Sequence, residues 1–260
     1  MKNVLAFLLF TAALLGAQAF SAWPGAPPLL GENPGNSAQF LNVAAGNSRG
    51  TVETIQIQFQ PVFKGEKVAL EAPLQNIHGD SMALHTLRFY LSNFVFLKNG
   101  AIVYAEKDSH HLLDLEVEHS LDLGFQLPEN SRFDELKFDL GIDSLTQVSG
   151  AMGKDLDPTK GMFWTWQSGY INVKLEGFHE RSPARNHEFQ FHLGGYSSPF
   201  QSQQCVRLAI PKEGDLKLVL DLAPFFEQVE QSYPYSIMSP AAAAVDLTKT
   251  LANSFRVYAK

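Results

Sequence analysis

LRFYLSNFVFL occupies residues 87–97 and decides the fold class of this sequence. Leu87, Phe89, Leu91, Val95 and Leu97 share one parity, so in an extended segment their side chains point to the same face. Alternation with a period of two is typical of a strand with one buried face. The stretch therefore predicts a β-strand in a sheet that covers a hydrophobic core.

Similar stretches follow one another along the chain from Thr51. Ile55, Ile57 and Phe59 alternate with glutamines as far as Pro61, where we expect the strand to break or bulge. Short apolar runs separated by Gly, Pro, Asn or Asp predict an all-β fold, an antiparallel β-sandwich-like single domain over residues 51–260. The other predicted strands are AIVYAE (101–106), HLLDLEV (111–117), ELKFDLGI (135–142), SGYINVKLEG (168–177), HEFQFHLGG (187–195), QCVRLAI (204–210) and LKLVLDL (216–222).

One C-terminal helix is predicted after Ser239. Ser239 is a candidate N-cap, Pro240 suits the first helical position, and AAAAVDLTKTLANSF continues with good helix formers.

The N-terminus has the pattern of a secretory signal peptide over residues 1–19. Lys2 precedes an apolar run from Val4 to Leu15, and Ala17-Gln18-Ala19 suits cleavage after about Ala19. The run is shorter than the roughly 20 residues that span a bilayer, so we expect no membrane anchor. Residues 20–50 are predicted to form an extended leader rich in Pro, Gly and Asn. The sequence thus predicts an exported, periplasmic protein.

Composition restricts the chemistry. The formal net charge is -7, which argues against nucleic acid as a partner. Cys205 is the single cysteine among 260 residues, so the chain alone forms no disulfide and no thiolate metal cluster. We expect Cys205 to be buried like a small hydrophobe. Any bound metal must be held mainly by His, Met, Asp, Glu or a less usual donor.

Common catalytic motifs do not occur in the sequence. There is no G-x-S-x-G, H-E-x-x-H, Walker A or G-x-G-x-x-G pattern. We therefore expect a protein that is not an enzyme.

The stretch GMFWTWQSGY, residues 161–170, has the most unusual composition. Trp164 and Trp166 are two residues apart and on an extended segment face the same side, together with Tyr170. This side is opposite to the apolar stripe that continues from Ile171. The tryptophans could form a small second hydrophobic cluster, a stacking platform for a sugar, or a cofactor-linked site.

His192 is the histidine whose position in the sequence suggests a metal ligand. His192, in FHLGG, has the parity opposite to its apolar neighbours and precedes two glycines that permit close approach. A hydrogen-bonded structural role is the alternative for His192. His85 shares the parity of Leu87 and is expected to point inward, whereas His78 lies in the loop NIHGDS. His119, His179 and His187 lie in polar segments and are expected on the surface.

Several stretches resemble the MbnP-like copper-binding family, which is related to the MopE and CorA copper proteins. The resemblance runs in the same order over residues 52–260. The block from Gly161 to Gly177 is long and has an unusual composition, so the resemblance of this block to the family is specific. The stretches are LRFYLSN (87–93), LGIDS (140–144), GMFWTWQSGYINVKLEG (161–177), FHLGG (191–195) and MSPAAA (238–243).

The resemblance implies a periplasmic β-sandwich-like protein that binds mononuclear copper, as Cu+ or Cu2+, for acquisition, storage or delivery. It implies ligands from His and from a tryptophan oxidised to kynurenine by a di-haem enzyme similar to MauG and cytochrome c peroxidases. His192 matches the family's HxGG position, and Trp164 is favoured over Trp166 as the oxidised residue. His85, or behind it His78, is the candidate second ligand, and Met162 and Met238 are candidate thioether donors.

A second hypothesis uses the same aromatic residues without a metal. A carbohydrate- or small-ligand-binding β-sandwich would present Trp164, Trp166 and Tyr170 as a stacking surface, with nearby polar groups to orient the ligand.

Overall fold

The computed structural model describes residues 51–166, 169–211 and 214–260, which belong to a single compact unit. The predicted signal peptide and leader lie outside the described residues. The strands are β1 (Val52–Phe63), β2 (Glu66–Lys67), β3 (Leu74–Gln75), β4 (Ser81–Lys98), β5 (Ala101–Ala105), β6 (His110–Asp114), β7 (Asp122–Pro128), β8 (Glu135–Leu140), β9 (Phe163–Trp164), β10 (Gly169–His179), β11 (Glu188–Gly194), β12 (Gln204–Ala209), β13 (Leu216–Asp221), β14 (Ser236–Ile237) and β15 (Phe255–Ala259). The α-helices are α1 (Ser144–Val148), α2 (Ala223–Ser232) and α3 (Ala242–Asn253).

Two sheets form a sandwich-like domain, which confirms the predicted fold class. The smaller sheet has the order β15-β13-β1-β2, with β7 also paired to β1. The larger sheet has the order β12-β8-β4-β10-β11-β14, and β3, β5, β6 and β9 join its flanks. Most pairs are antiparallel, as predicted, but β1 pairs with β13 and β11 pairs with β14 in parallel.

The core lies between the sheets and is rich in phenylalanine. Phe59 of β1 meets Phe89 of β4 edge to face, with ring centroids 5.0 Å apart. Phe255 of β15 meets Phe138 of β8 in the same way at 5.3 Å. Such aromatic pairs contribute about 0.5–1.5 kcal/mol each beyond the burial of their area. These contacts hold the two sheets together and make β4 a central strand of the fold.

Three local predictions are corrected. β1 runs through Pro61, because its pairing with β7 ends at Gln58 and a strand edge tolerates a residue without an N–H. The late helix, α3, begins at Ala242 after Ala241, which offers no side-chain cap, so Ser239 is not the N-cap. Cys205 is exposed on β12, whose alternation buries Val206 instead.

Helix α2 was not predicted from the sequence. Its Phe225 and Phe226 pack against Phe191 and Phe189 of β11, with ring centroids 5.2 and 5.3 Å apart. The helix therefore covers the inner face of β11 and leaves the other face of that strand for the residues discussed below. Among the described helices, none is both long and apolar enough to cross a membrane.

Candidate metal centre

The outer face of the larger sheet carries His192. On β11, Phe191 and Leu193 enter the core, so His192 between them points to the opposite face. In the ladder, Lys174 of β10 lies opposite His192 on one side and opposite Arg88 of β4 on the other. His192 is therefore part of a polar row across three neighbouring strands.

The imidazole of His192 is buried and hydrogen-bonded. The residue is 8% exposed, and its Nε2 lies 2.6 Å from Oε1 of Glu176 on β10. The hydrogen bond from His192, with a smaller effect of Lys174, holds the pKa of Glu176 below its ordinary value although burial opposes the shift. The side chain of His192 points away from the core, as predicted. It is nevertheless buried, because Glu176 and its neighbours surround the ring.

This hydrogen bond fixes the tautomer of His192. An ionised carboxylate only accepts hydrogen bonds, so Nε2 carries the proton that it donates to Glu176. In the neutral imidazole the lone pair then lies on Nδ1, for which the described residues show no hydrogen-bond partner. Nε2 of His192 thus holds the ring in place through its hydrogen bond, and the lone pair of Nδ1 is available to bind a metal ion.

The side chain of Trp164, from β9, lies on the same face of β11, two residues along that strand from His192. It is 6% exposed, and its ring lies directly over Gly194. A Cβ atom at residue 194 would lie 2.6 Å from Cζ3 and 2.8 Å from Cη2 of this indole. Because Gly194 and His192 share a face of β11, the missing side chain of Gly194 allows Trp164 to pack on that face, two residues along the strand from His192.

Trp164 belongs to a second hydrophobic cluster, separate from the main core. The predicted second cluster is therefore present for Trp164, but Trp166 is not among its buried members. A bulge in β10 between Ile171 and Val173 shifts the side-chain alternation, so Tyr170 and Ile171 both enter the cluster. The buried members are Tyr90, Leu112, Ile142, Leu156, Met162, Trp164, Tyr170 and Ile171.

Trp166 has a different environment from Trp164. It is 64% exposed, although its ring centroid lies only 5.6 Å from that of Trp164. Tyr170 is buried, and its hydroxyl donates to backbone carbonyls at Gly150 and Leu156. The predicted stacking surface is therefore wrong, since only one of its three rings offers a face to solvent.

His85 points to solvent, which corrects the inward prediction. A bulge lies at this residue: Thr86 pairs with Glu176 and Leu84 pairs with Gly177, so His85 is the extra residue of β4. The side chain is half exposed, and its Nε2 lies 3.6 Å from Glu71. The structure thus places His85 with a surface carboxylate and shows no contact between it and His192.

His78 lies in another polar cluster. Its Nε2 is 3.7 Å from Oε2 of the buried Glu230, whose Oε1 accepts hydrogen bonds from Asn76 and from Nε2 of His179. Nδ1 of His179 accepts the Arg181 N–H, so neither nitrogen of that ring has a lone pair left for a metal. This cluster joins the loop at His78 to α2. His179, expected on the surface, is fully buried.

The two methionine candidates also differ. Met162 is fully buried in the second cluster. Met238 follows β14 and is 41% exposed.

Within residues 51–166, 169–211 and 214–260, no group of three His, Cys, Asp or Glu side chains is arranged to hold a metal ion. A metal at His192 would therefore need donors of other kinds, such as sulfur or a modified tryptophan.

A cleft of about 490 Å³ lies beside this face. Four of its charged side chains form two ion pairs, Arg88 with Asp114 at 2.8 Å and Lys160 with Asp155 at 2.6 Å.

Comparison with known proteins identifies the family of this chain. The profile of the MbnP family matches residues 52–239, more than half of the chain. The chain belongs to the MbnP family. Its structure is similar to that of MbnP from Methylosinus trichosporium, with a TM-score of 0.51 and 16% sequence identity, over 75% of this chain and 83% of that one. At this identity the likeness shows the fold. No match was found among curated proteins.

The close contact at Gly194 leads to a stability prediction for this MbnP-family chain. Gly194→Ala would place Cβ against the Trp164 ring and 3.0 Å from the carbonyl oxygen of Tyr170. We expect the free energy of unfolding to fall by about 1–3 kcal/mol, as for other overpacked sites, and tryptophan fluorescence to shift. Denaturant unfolding measures the first effect and an emission spectrum the second.

Gly153→Ala is the matched control for this variant. No atom lies within 4 Å of a Cβ atom at residue 153, so we expect a change within about 0.5 kcal/mol. Equal stabilities of the two variants would contradict the packing of Trp164 on Gly194.

Proposed function

We propose that this protein binds one copper ion at the face formed by His192 and Trp164, as cargo for acquisition, storage or delivery and not for catalysis. Membership of the MbnP family favours a copper-related function. The observation that carries the proposal is the pairing on this face. His192 is oriented by Glu176, and two residues along β11 the ring of Trp164 lies over Gly194.

The His192–Glu176 pair is suited to a metal site. Metal-binding histidines commonly donate their second ring N–H to a carboxylate, which fixes the ring and increases its basicity. Here Nε2 makes that hydrogen bond, and Nδ1 is the nitrogen that would bind copper. Imidazole nitrogen is a favourable copper ligand, so the donor chemistry fits the proposed cargo.

Trp164 would supply a second nitrogen only after oxidation. The indole nitrogen has its lone pair in the aromatic ring and is a poor ligand. Insertion of two oxygen atoms, from dioxygen or from two equivalents of peroxide that leave as water, cleaves the C2–C3 bond and gives N-formylkynurenine. One water then releases formate, and the aniline-type amine of kynurenine has a free lone pair. The oxidant is thus dioxygen or peroxide, and the proposed catalyst is a partner haem enzyme similar to MauG and cytochrome c peroxidases.

The choice between the two tryptophans rests on their surroundings. Trp164 packs on the face of β11 that carries His192, whereas Trp166 is exposed and its ring contacts that of Trp164. An amine formed from Trp164 would arise next to His192. His85 and His78 have acidic partners of their own, Glu71 and Glu230, and we do not include them in the site.

Copper binding can be measured directly on the protein isolated from its own host. Competition with a chelator of known affinity is expected to give about one tightly bound copper ion per chain. Copper that is removed completely by a weak chelator would overturn the proposal.

The proposed compartment is the periplasm, and the N-terminal sequence of the mature protein should begin near Phe20. A chain that retains Met1 would contradict export by cleavage.

Glu176 is expected to act as a positioning residue for the copper ligand. Glu176→Gln keeps the shape of the side chain but removes the charge that fixes the tautomer of His192. We expect the copper affinity to fall about 10–100-fold, the usual effect of losing such an outer partner. Chelator competition measures the affinity, and the circular dichroism spectrum should remain that of the folded protein.

Glu135→Gln is the control for this variant. Glu135 pairs with Arg207 on another part of the same sheet, with Oε1 2.6 Å from the Arg207 Nε. We expect no change of copper affinity there. Equal affinities of the Glu176 variant and the unmodified protein would show that the carboxylate does not orient the ligand.

A further inference from the structure

The edge strand β14 runs parallel to β11 beside the proposed site. Ser236 pairs with Gln190, and Ile237 pairs with Phe191. Carried one residue further, this register places Met238 beside His192. The two segments remain neighbours beyond that point, because a Cβ atom at Gly195 would lie 3.0 Å from Cβ of Pro240.

The side-chain alternation places Met238 on the face of His192. Ile237 is buried in the main core together with its partner Phe191. Residues paired in a parallel ladder share a face, and the next residue of each strand points to the opposite face. Extended by one residue past the end of β14, this alternation gives Met238 the outer face that His192 has on β11.

The exposure of Met238 distinguishes it from the other candidate thioether. Met238 is 41% exposed, so its sulfur can reach an ion at the edge of the sheet. Met162 is fully enclosed by the second cluster, and its sulfur would have to leave that cluster to bind an ion. The thioether of Met238 is thus available without disturbing packed residues.

We propose that the thioether sulfur of Met238 is a ligand of the copper ion held by His192 and that it makes the site selective for Cu(I). This inference rests on the proposed function. Thioether is a soft donor that selects Cu(I), whereas imidazole also suits Cu(II). The ligands would be Nδ1 of His192, the sulfur of Met238 and the amine derived from Trp164. All three are neutral, which suits a monovalent ion.

The inference is tested with Met238→Leu in protein produced in its own host. Leucine has a similar volume and no sulfur. Competition under anaerobic conditions with a Cu(I) chelator is expected to show a loss of affinity of about tenfold or more, equivalent to about 1.4 kcal/mol. Competition for Cu(II) is expected to change less than about twofold, since the nitrogen ligands remain. X-ray absorption of the Cu(I) form should show a sulfur neighbour that the variant lacks.

Met152→Leu is the matched control, because Met152 is 46% exposed and lies in a loop after α1. We expect it to leave both affinities unchanged. Copper bound by the unmodified protein without a sulfur neighbour, or with equal Cu(I) affinity in the Met238 variant, overturns the inference and leaves the proposed function intact. Failure of the unmodified protein to bind copper in either oxidation state overturns the proposed function, and the inference with it.

Discussion

His192→Ala is expected to abolish copper binding and also to destabilise the fold. The variant removes the proposed nitrogen donor, so chelator competition should show no tight copper. It also leaves the half-buried carboxylate of Glu176 without the hydrogen bond from His192. Loss of one partner from a buried hydrogen bond costs about 1–3 kcal/mol, and denaturant unfolding of the metal-free protein should show a decrease of this order.

Two further variants separate these effects. His192→Gln retains an N–H group that can donate to Glu176, so it should recover part of the stability while copper binding stays lost. His85→Ala changes an exposed side chain, and we expect its stability to stay within about 0.5 kcal/mol of the unmodified protein and its copper affinity to stay the same. Copper binding that survives in the His192 variants and disappears with His85→Ala would contradict the proposed site.

Trp164→Phe is expected to have the second large effect. Phenylalanine keeps an aromatic ring over Gly194 but cannot be converted to kynurenine. If the amine derived from Trp164 is a ligand, its loss should lower the copper affinity by at least about 100-fold, the upper end of the effect of losing an outer-shell partner. The measurement is chelator competition on protein from the natural host.

Trp166→Phe is the matched control, since the two residues are neighbours with rings in contact. It replaces an exposed indole by a phenyl ring and leaves unchanged the residue that we propose is oxidised. We expect full copper binding. Loss of copper in the Trp166 variant alone would assign the modification to Trp166 and contradict the account of Trp164.

The sequence predicts the strands of the larger sheet well, because each apolar run has a period of two. LRFYLSNFVFL lies within β4, and HEFQFHLGG contains β11. The parity of Phe189, Phe191 and Leu193 is also sufficient to predict that His192 lies on the outer face. The resemblance to the MbnP family is confirmed by the match over residues 52–239.

Bulges explain where the same reasoning fails. A period of two predicts that His85 points inward with Leu87, but the extra residue in β4 reverses its direction. The bulge after Ile171 has a similar effect, because it allows Tyr170 and Ile171 to enter one cluster. An extra residue in a ladder depends on the partner strand, and the sequence of one strand does not show it.

Other features depend on residues that are distant in sequence. The enclosure of His192 comes from Glu176 on the neighbouring strand, and that of His179 comes from Glu230 on α2. The inferred position of Met238 depends on a parallel pairing of only two residues, Ser236 with Gln190 and Ile237 with Phe191. Such short edge strands have too few residues to show a period.

Peptide mass spectrometry of the copper-loaded protein from its own host tests the central claim most directly. The measurement assigns any modification to Trp164 or Trp166 by fragmentation, and metal analysis of the same preparation gives its copper content. We predict that Trp164 has gained one oxygen and lost one carbon, as in kynurenine, or has gained two oxygens, as in its N-formyl precursor, while Trp166 is unchanged. Tightly bound copper in a preparation whose Trp164 is entirely unmodified would contradict the account.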